Sequence, residues 1–125
     1  MGLKAKQVKS SICDFIQKSK NNNLKVAAYG AAAKGNTLLN YCRITSNDIT
    51  CVVDNSPSKQ GMYMPLSRIP IVNQYSPLYL RSDAILILPW NIKEELVSLI
   101  NHSFISSGYE IPTIYVPIPT FKQIQ

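Results

Sequence analysis

Val26-Ala27-Ala28-Tyr29-Gly30-Ala31-Ala32-Ala33-Lys34-Gly35-Asn36-Thr37 carries the strongest fold signal in the chain. A short apolar run ends in a turn of small residues, and the turn opens a helix-like segment. A strand, turn and helix in this order present backbone N–H groups to a phosphate. Small residues matter because a longer side chain would keep a ligand off the backbone. The stretch therefore points to a nucleotide or nucleotide-sugar site. A second reading stays open: a tight strand-to-helix turn whose alanines pack against the sheet.

Known phosphate loops fit it incompletely. The dinucleotide fingerprint reads G-x-G-x-x-G, whereas only Gly30 and Gly35 are glycines here and Ala32 stands at the middle position. The P-loop reads G-x-x-x-x-G-K-[ST]. Here Lys34 comes one residue before the second glycine, and Asn36-Thr37 follow it. That order argues against kinase or NTPase chemistry.

Outward from this stretch, apolar spacing alternates between helix and strand. Val8, Ile12, Phe15 and Ile16 predict an amphipathic helix over residues 4–20, which Asn21-Asn22-Asn23 ends. Residues 24–29 read as a strand covered on both faces. Residues 32–42 read as a helix with Leu38, Leu39 and Cys42 inward. Residues 49–53 form the second strand, stopping at Asp54-Asn55. Residues 56–70 are a loop carrying Pro57, Gly61 and Pro65, followed by a short strand at Ile71-Val72 and a helical turn over 77–80. Residues 84–88 form a strongly apolar strand ending at Pro89-Trp90-Asn91. Ile92, Leu96, Leu99 and Ile100 mark a helix over about 91–106, with Gly108 as its stop signal. Residues 113–116 are the last expected strand, before Pro117 and Pro119.

This alternation predicts one α/β domain over residues 1–125. It is Rossmann-like, with a mostly parallel sheet of about four to five strands and helices on both faces. In such sheets ligands bind beyond the carboxyl ends of the strands. Gly30-Ala31-Ala32, Asp54-Asn55, Pro89-Trp90-Asn91 and Pro117 all follow strands, so four separate segments converge on one rim. Lys34, Gly35 and Asn36 open the helix behind the first of them. Asp54 suits a ribose acceptor, and equally a cap on the following turn. Lys59, in the longest loop, is a candidate phosphate partner or an ordinary exposed lysine. Trp90 is placed to stack on a sugar or base, or to anchor the last helix.

Composition narrows the field. Apolar residues make up 46% of the 125 and charged residues 16%, which is globular rather than disordered. No apolar run approaches the roughly 18 residues of a membrane span, and no secretory leader pattern is visible. Met1-Gly2 could begin a myristoylation signal, but Lys6 occupies the position that needs Ser or Thr. Cys13, Cys42 and Cys51 include no C-x-x-C pair; with Cys13 on an apolar helix face, all three read as buried thiols in a reducing cytoplasm. His102, the only histidine, reads as an exposed residue late in a helix. The net charge is +6, and six of the basic residues fall in the first 25 positions. They are spread around the helix without arginine or interleaved aromatics, so they read as a solvated face rather than a nucleic-acid stripe.

Three blocks then carry a resemblance: residues 29–37, residues 53–61 (Val53-Asp54-Asn55-Ser56-Pro57-Ser58-Lys59-Gln60-Gly61) and residues 87–91 (Ile87-Leu88-Pro89-Trp90-Asn91). In this order and spacing, over about residues 8–119, they resemble the signature blocks of the C-terminal domain of sugar C-methyltransferases. The resemblance implies a family enzyme with a cysteine-rich zinc-binding part, a central S-adenosylmethionine domain and this Rossmann-like domain. It implies methylation of a carbon of a nucleotide-linked deoxyketosugar, dTDP being the expected carrier. A proton leaves the carbon beside the ketone, and the enolate takes the methyl group. It further implies that this chain holds neither zinc nor S-adenosylmethionine itself, and that it is inactive alone. Its rim would face the nucleotide-sugar, with the S-adenosylmethionine domain supplied in cis or in trans. The expected substrate-binding residues are Gly30, Ala31, Ala32, Lys34, Gly35, Asn36, Asp54, Lys59, Pro89, Trp90 and Asn91; no catalytic residue is assigned. A stand-alone nucleotide- or NAD-binding module is the alternative from another class.

Overall fold

Val26-Ala27-Ala28-Tyr29 is buried at every position, so both faces of this strand must be covered. The computed structural model describes residues 3–125; Met1 and Gly2, weighed above as a lipidation signal, lie outside the described residues. Helix α1 (Leu3–Asn21) leads into β1 (Val26–Tyr29), α2 (Ala33–Tyr41), β2 (Val52–Val53) and β3 (Ile71–Val72). The short α3 (Pro77–Leu80), β4 (Ala84–Ile87), α4 (Lys93–Ser106), β5 (Thr113–Val116) and β6 (Lys122–Gln123) follow. The strands form one sheet in the order β3-β2-β1-β4-β5-β6. Every pairing is parallel except the last, β5 with β6. The chain steps outward from β1 to β2 and β3, then returns to lay β4 against the other side of β1. The loops after β1 and β4 therefore part company at the carboxyl edge of adjacent strands.

Side-chain alternation splits the core. Val26 and Ala28 face one apolar cluster with Val8, Ile12 and Ile16 of α1 and Leu39 of α2. Ala27 and Tyr29 face another, with Tyr79 of α3 and Leu96, Ile100 and Phe104 of α4. Helices thus cover both faces, as the apolar runs predict. Four details differ from the sequence reading. Cys13 is exposed, because it lies one residue, about 100° of helix, past the inward Ile12. Ile92 and Leu99 are exposed, since a 3₁₀ turn at Trp90–Ile92 precedes α4 and its buried stripe runs through Leu96, Ile100 and Phe104. Ordered β2 is only Val52–Val53, although Thr50 N–H still donates to Val26 O at 2.9 Å. The sheet has six strands rather than four to five, because the edge strand β6 carries no apolar signal, both of its residues being exposed. The aromatic trio Phe15, Tyr115 and Phe121, with ring centroids 4.4–5.7 Å apart, fastens its hairpin to α1.

Three helices end alike. Leu24 N–H donates to Ser19 O, Ile44 N–H to Leu39 O and Tyr109 N–H to Phe104 O, each across a left-handed residue. Those residues are Asn23, Arg43 and Gly108. Asn and Gly are common there; Arg43, at φ 56°, bears a Cβ penalty. Arg43→Gly is expected to raise stability by about 0.5–1 kcal/mol. The urea midpoint measures this, and a lower midpoint would refute it.

Asp48 ties the α2–β2 connection. Its carboxylate accepts from Thr45 N–H at 2.9 Å and pairs with Lys20 of α1. Burial alone would raise its pKa, but the bonds from Lys20 and Thr45 outweigh that and lower it. A lowered folded-state pKa gives stability that is present above the usual carboxylate value and lost as pH falls through the folded one. Asp48→Asn should therefore melt below the parent at pH 7, with the gap closing below about pH 4. Melting curves across that range decide; a gap that widens on acidification would exclude the ion-pair account.

Candidate functional site

The small-residue turn takes its shape from a close approach. Gly30 has φ 103°, and its N–H donates to Val53 O at 2.7 Å. A Cβ built on it would lie 2.5 Å from Pro89 Cδ. The space on the Cβ side of this glycine is thus occupied by the loop after β4. Gly35 serves the same end one helical turn later: a Cβ there would lie 2.9 Å from Leu88 Cβ. Small residues at 30 and 35 let α2 and the β4 loop seat tightly against each other.

Beside that contact lies a cleft of about 720 Å³. It is lined by Gly30, Ala32, Ala33, Lys34, Gly35, Leu38, Leu88, Pro89, Trp90, Asn91 and Ile118. One wall is the start of α2. Ala32 is the residue before the helix and offers no side-chain cap, and the first turn carries no acid. The N–H groups of Ala33, Lys34 and Gly35 have no helical acceptor there. Their dipole and the Lys34 ammonium both favour an anion. A second wall, formed by Leu88, Pro89 and Ile118, is apolar, as is Leu38 farther along α2. Trp90, 38% exposed, also lines the cleft. Asn36 is half-buried, and its Oδ1 is shielded from solvent without a hydrogen-bond partner.

The remaining expected residues sit on the other side of the loop. Asp54 Oδ2 accepts from Ala31 N–H at 2.9 Å, and Asp54 Oδ1 from Ser56 N–H at 2.8 Å. Gln60 Nε2 donates to Asp54 O at 2.9 Å, and Lys59 Nζ reaches Ala31 O at 3.4 Å. Of the two roles open to Asp54 in the sequence, the structure displays the turn cap. Beneath them Asn55 Nδ2 donates to the Tyr29 hydroxyl at 2.9 Å. Burial, more than the neighbouring Asp54 charge, raises the pKa of that phenol.

A family model described as the C-methyltransferase C-terminal domain matches residues 2–119. The chain belongs to that family. It is also 31% identical over 113 residues to the C-methyltransferase NovU of Streptomyces niveus. That alignment takes in 90% of this chain and 26% of NovU, so the chain spans about a quarter of that relative's length. In this C-methyltransferase C-terminal domain the three sequence blocks meet at the junction of β1, β2 and β4. The cleft gathers Gly30, Ala32, Lys34, Gly35, Pro89, Trp90 and Asn91, but not Ala31, Asn36, Asp54 or Lys59. Sequence reading missed Ile118 and the apolar wall; the only signal was that Ile118 follows a strand, where Pro117 was named instead. Pro117 itself is buried. Among the described residues no three His, Cys, Asp or Glu side chains gather as metal ligands would. No described helix is long and apolar enough to cross a membrane.

The Gly30–Pro89 approach makes a stability prediction. Gly30→Ala adds both a collision and left-handed strain, and should cost about 2–4 kcal/mol. Pro89→Ala in the same chain removes the collision and should recover part of the loss. A denaturant-based double-mutant cycle reads the coupling. Strict additivity of the two changes would show that the contact does not shape the turn.

Proposed function

We propose that this chain is the substrate-side domain of a C-methyltransferase acting on a nucleotide-linked deoxyketosugar, with dTDP the expected carrier. The observation that carries the reading is the two-walled cleft. Its α2 wall offers N–H groups and Lys34 to a diphosphate, while its apolar wall suits a deoxygenated ring. Trp90 and Asn91 stand where a sugar or base would lie. A Rossmann-like assignment is supported by the sheet order, which runs outward from β1 in both directions. Holding the ketosugar in one orientation lowers the barrier by removing motions that the reaction would otherwise freeze. That is this chain's part.

The methyl group is what S-adenosylmethionine supplies when bound in such an enzyme. The residues here do not favour that cofactor: the carboxylate after β2, which in such folds accepts from a ribose, is turned toward its own backbone, to Ala31 and Ser56 N–H. Nor do they fit zinc: Cys42 and Cys51 are buried on opposite faces of the sheet, and Cys13 is exposed. Both groups belong, in this reading, to an S-adenosylmethionine domain and a zinc part supplied in cis or in trans, within the cytoplasm. Burial pushes the Cys42 and Cys51 thiols up to about 11, as for inert core cysteines. The lysines of α1 serve solubility in this view, with neither nucleic acid nor membrane as partner.

Trp90 is the only tryptophan, so its fluorescence reports the cleft. Adding dTDP-glucose should quench it and shift the amide resonances of Ala33, Lys34 and Gly35. Lys34→Ala should weaken binding about three- to tenfold, an exposed charge contributing about 1 kcal/mol. S-adenosylmethionine should change neither signal. Micromolar binding of S-adenosylmethionine, or amide shifts confined to regions away from the cleft, would overturn the reading.

A further inference from the structure

We infer that Asp54 is a specificity residue that closes one half of the rim, so that the site takes a diphosphate with a group on the β4 side and rejects a dinucleotide. The inference rests on the nucleotide-sugar reading above and adds which ligands that site refuses. A dinucleotide lies across the whole carboxyl edge of such a sheet. Its pyrophosphate meets the first helix, one nucleoside lies over β2, and the other lies over the strands beyond the switch point. An acid after β2 grips the ribose hydroxyls of the first nucleoside. Asp54 occupies that position here, but both carboxylate oxygens point back into the chain, to Ala31 N–H and Ser56 N–H.

Three further contacts make the closure part of the loop's architecture. Gln60 reaches back to the Asp54 carbonyl, Lys59 lies against the Ala31 carbonyl, and Asn55 is held by the Tyr29 hydroxyl. Together they fold residues 55–60 against the turn at Ala31. A ribose laid over β2 would have to displace the loop that these contacts fold against the turn, and the two charge-assisted bonds of Asp54 with it, a loss that offsets the bonds gained. The cleft agrees with this closure: its lining comes from the β1–α2 turn, α2, the β4 loop and Ile118, with no residue between 54 and 60. The cleft thus lies on the β4 side of the Gly30 turn, and the 55–60 loop is folded against the turn on the β2 side.

Two measurements on the 125-residue chain test this. The first needs no ligand. Amide hydrogen exchange should find Ala31 and Ser56 protected in the free chain. Asp54→Asn, which turns one acceptor into a donor, should lose at least about tenfold of that protection while Ile85 in β4 keeps its own. Free exchange of Ala31 and Ser56 in the parent chain overturns the closure whatever binds. The second compares ligands by amide shifts. dTDP-glucose should perturb Ala33, Lys34, Gly35 and Trp90, whereas NAD at about 1 mM should leave Asp54 through Gln60 unmoved. NAD binding with shifts at Asp54–Gln60, and affinity within about tenfold of dTDP-glucose, defeats the inference and leaves the nucleotide-sugar reading standing. Failure of both ligands to bind defeats the reading and this inference together.

Discussion

The contact between Gly30 and Pro89 governs the rest of the molecule's functional edge. β1 and β4 pair along four residues, from Val26 with Ala84 to Tyr29 with Ile87. Their continuations must then diverge, one into α2 and the other into the turn before α4. A side chain at position 30 would force those continuations apart at the point where the cleft begins. With glycine there, Pro89 packs onto the turn, Leu88 packs onto Gly35, and α2 starts close to the sheet. The cleft between Lys34 and Trp90 is what remains once these two close approaches are satisfied.

The same turn is fixed from its other side by polar contacts. Apolar packing alone would let the Ala31-Ala32 segment slide, because alanines offer little shape to hold. Asp54 supplies direction. Its two backbone bonds are charge-assisted, and each such bond contributes about 1.5–3 kcal/mol where water is partly excluded. Packing therefore sets how close the loops come, and the carboxylate sets where along the rim they stop. A rigid first turn in α2 follows, and its free N–H groups acquire a fixed direction.

Much of this was legible in the residues, and the losses have physical causes. Uninterrupted apolar runs at 26–29 and 84–87 announced covered parallel strands, and Gly108 announced the end of α4. Strand β6 was not legible, because an exposed edge strand of Lys122 and Gln123 leaves no hydrophobic pattern. Cys13 was misplaced because helix periodicity is sharp only near the centre of the stripe; one residue beyond Ile12 already faces water. At the rim, spacing located the loops but not the direction of their side chains. Asp54 and Lys59 were recognised as chemistry-bearing groups, yet whether they face a ligand or their own backbone depends on loop conformation, which spacing does not encode. Ile118 was missed for the converse reason: an apolar residue after a proline carries no polar signature, although it completes the wall.

The distribution of titratable groups bears on how the cleft can work. Removal of a proton beside a ketone calls for a base within hydrogen-bond reach of that carbon's proton. Among the described residues Lys34 is the only titratable side chain lining the cleft, and no carboxylate or histidine joins it. The groups pushed furthest from their ordinary values, Tyr79, Cys42 and Cys51, lie in the core, where burial is the cause. His102 is exposed on the last helix. Under the proposed function such a surface binds and orients an anionic ligand without itself abstracting the proton. The base must then be carried by a neighbouring body. The exposed Trp90 and Ile92 leave apolar surface for such a body to cover.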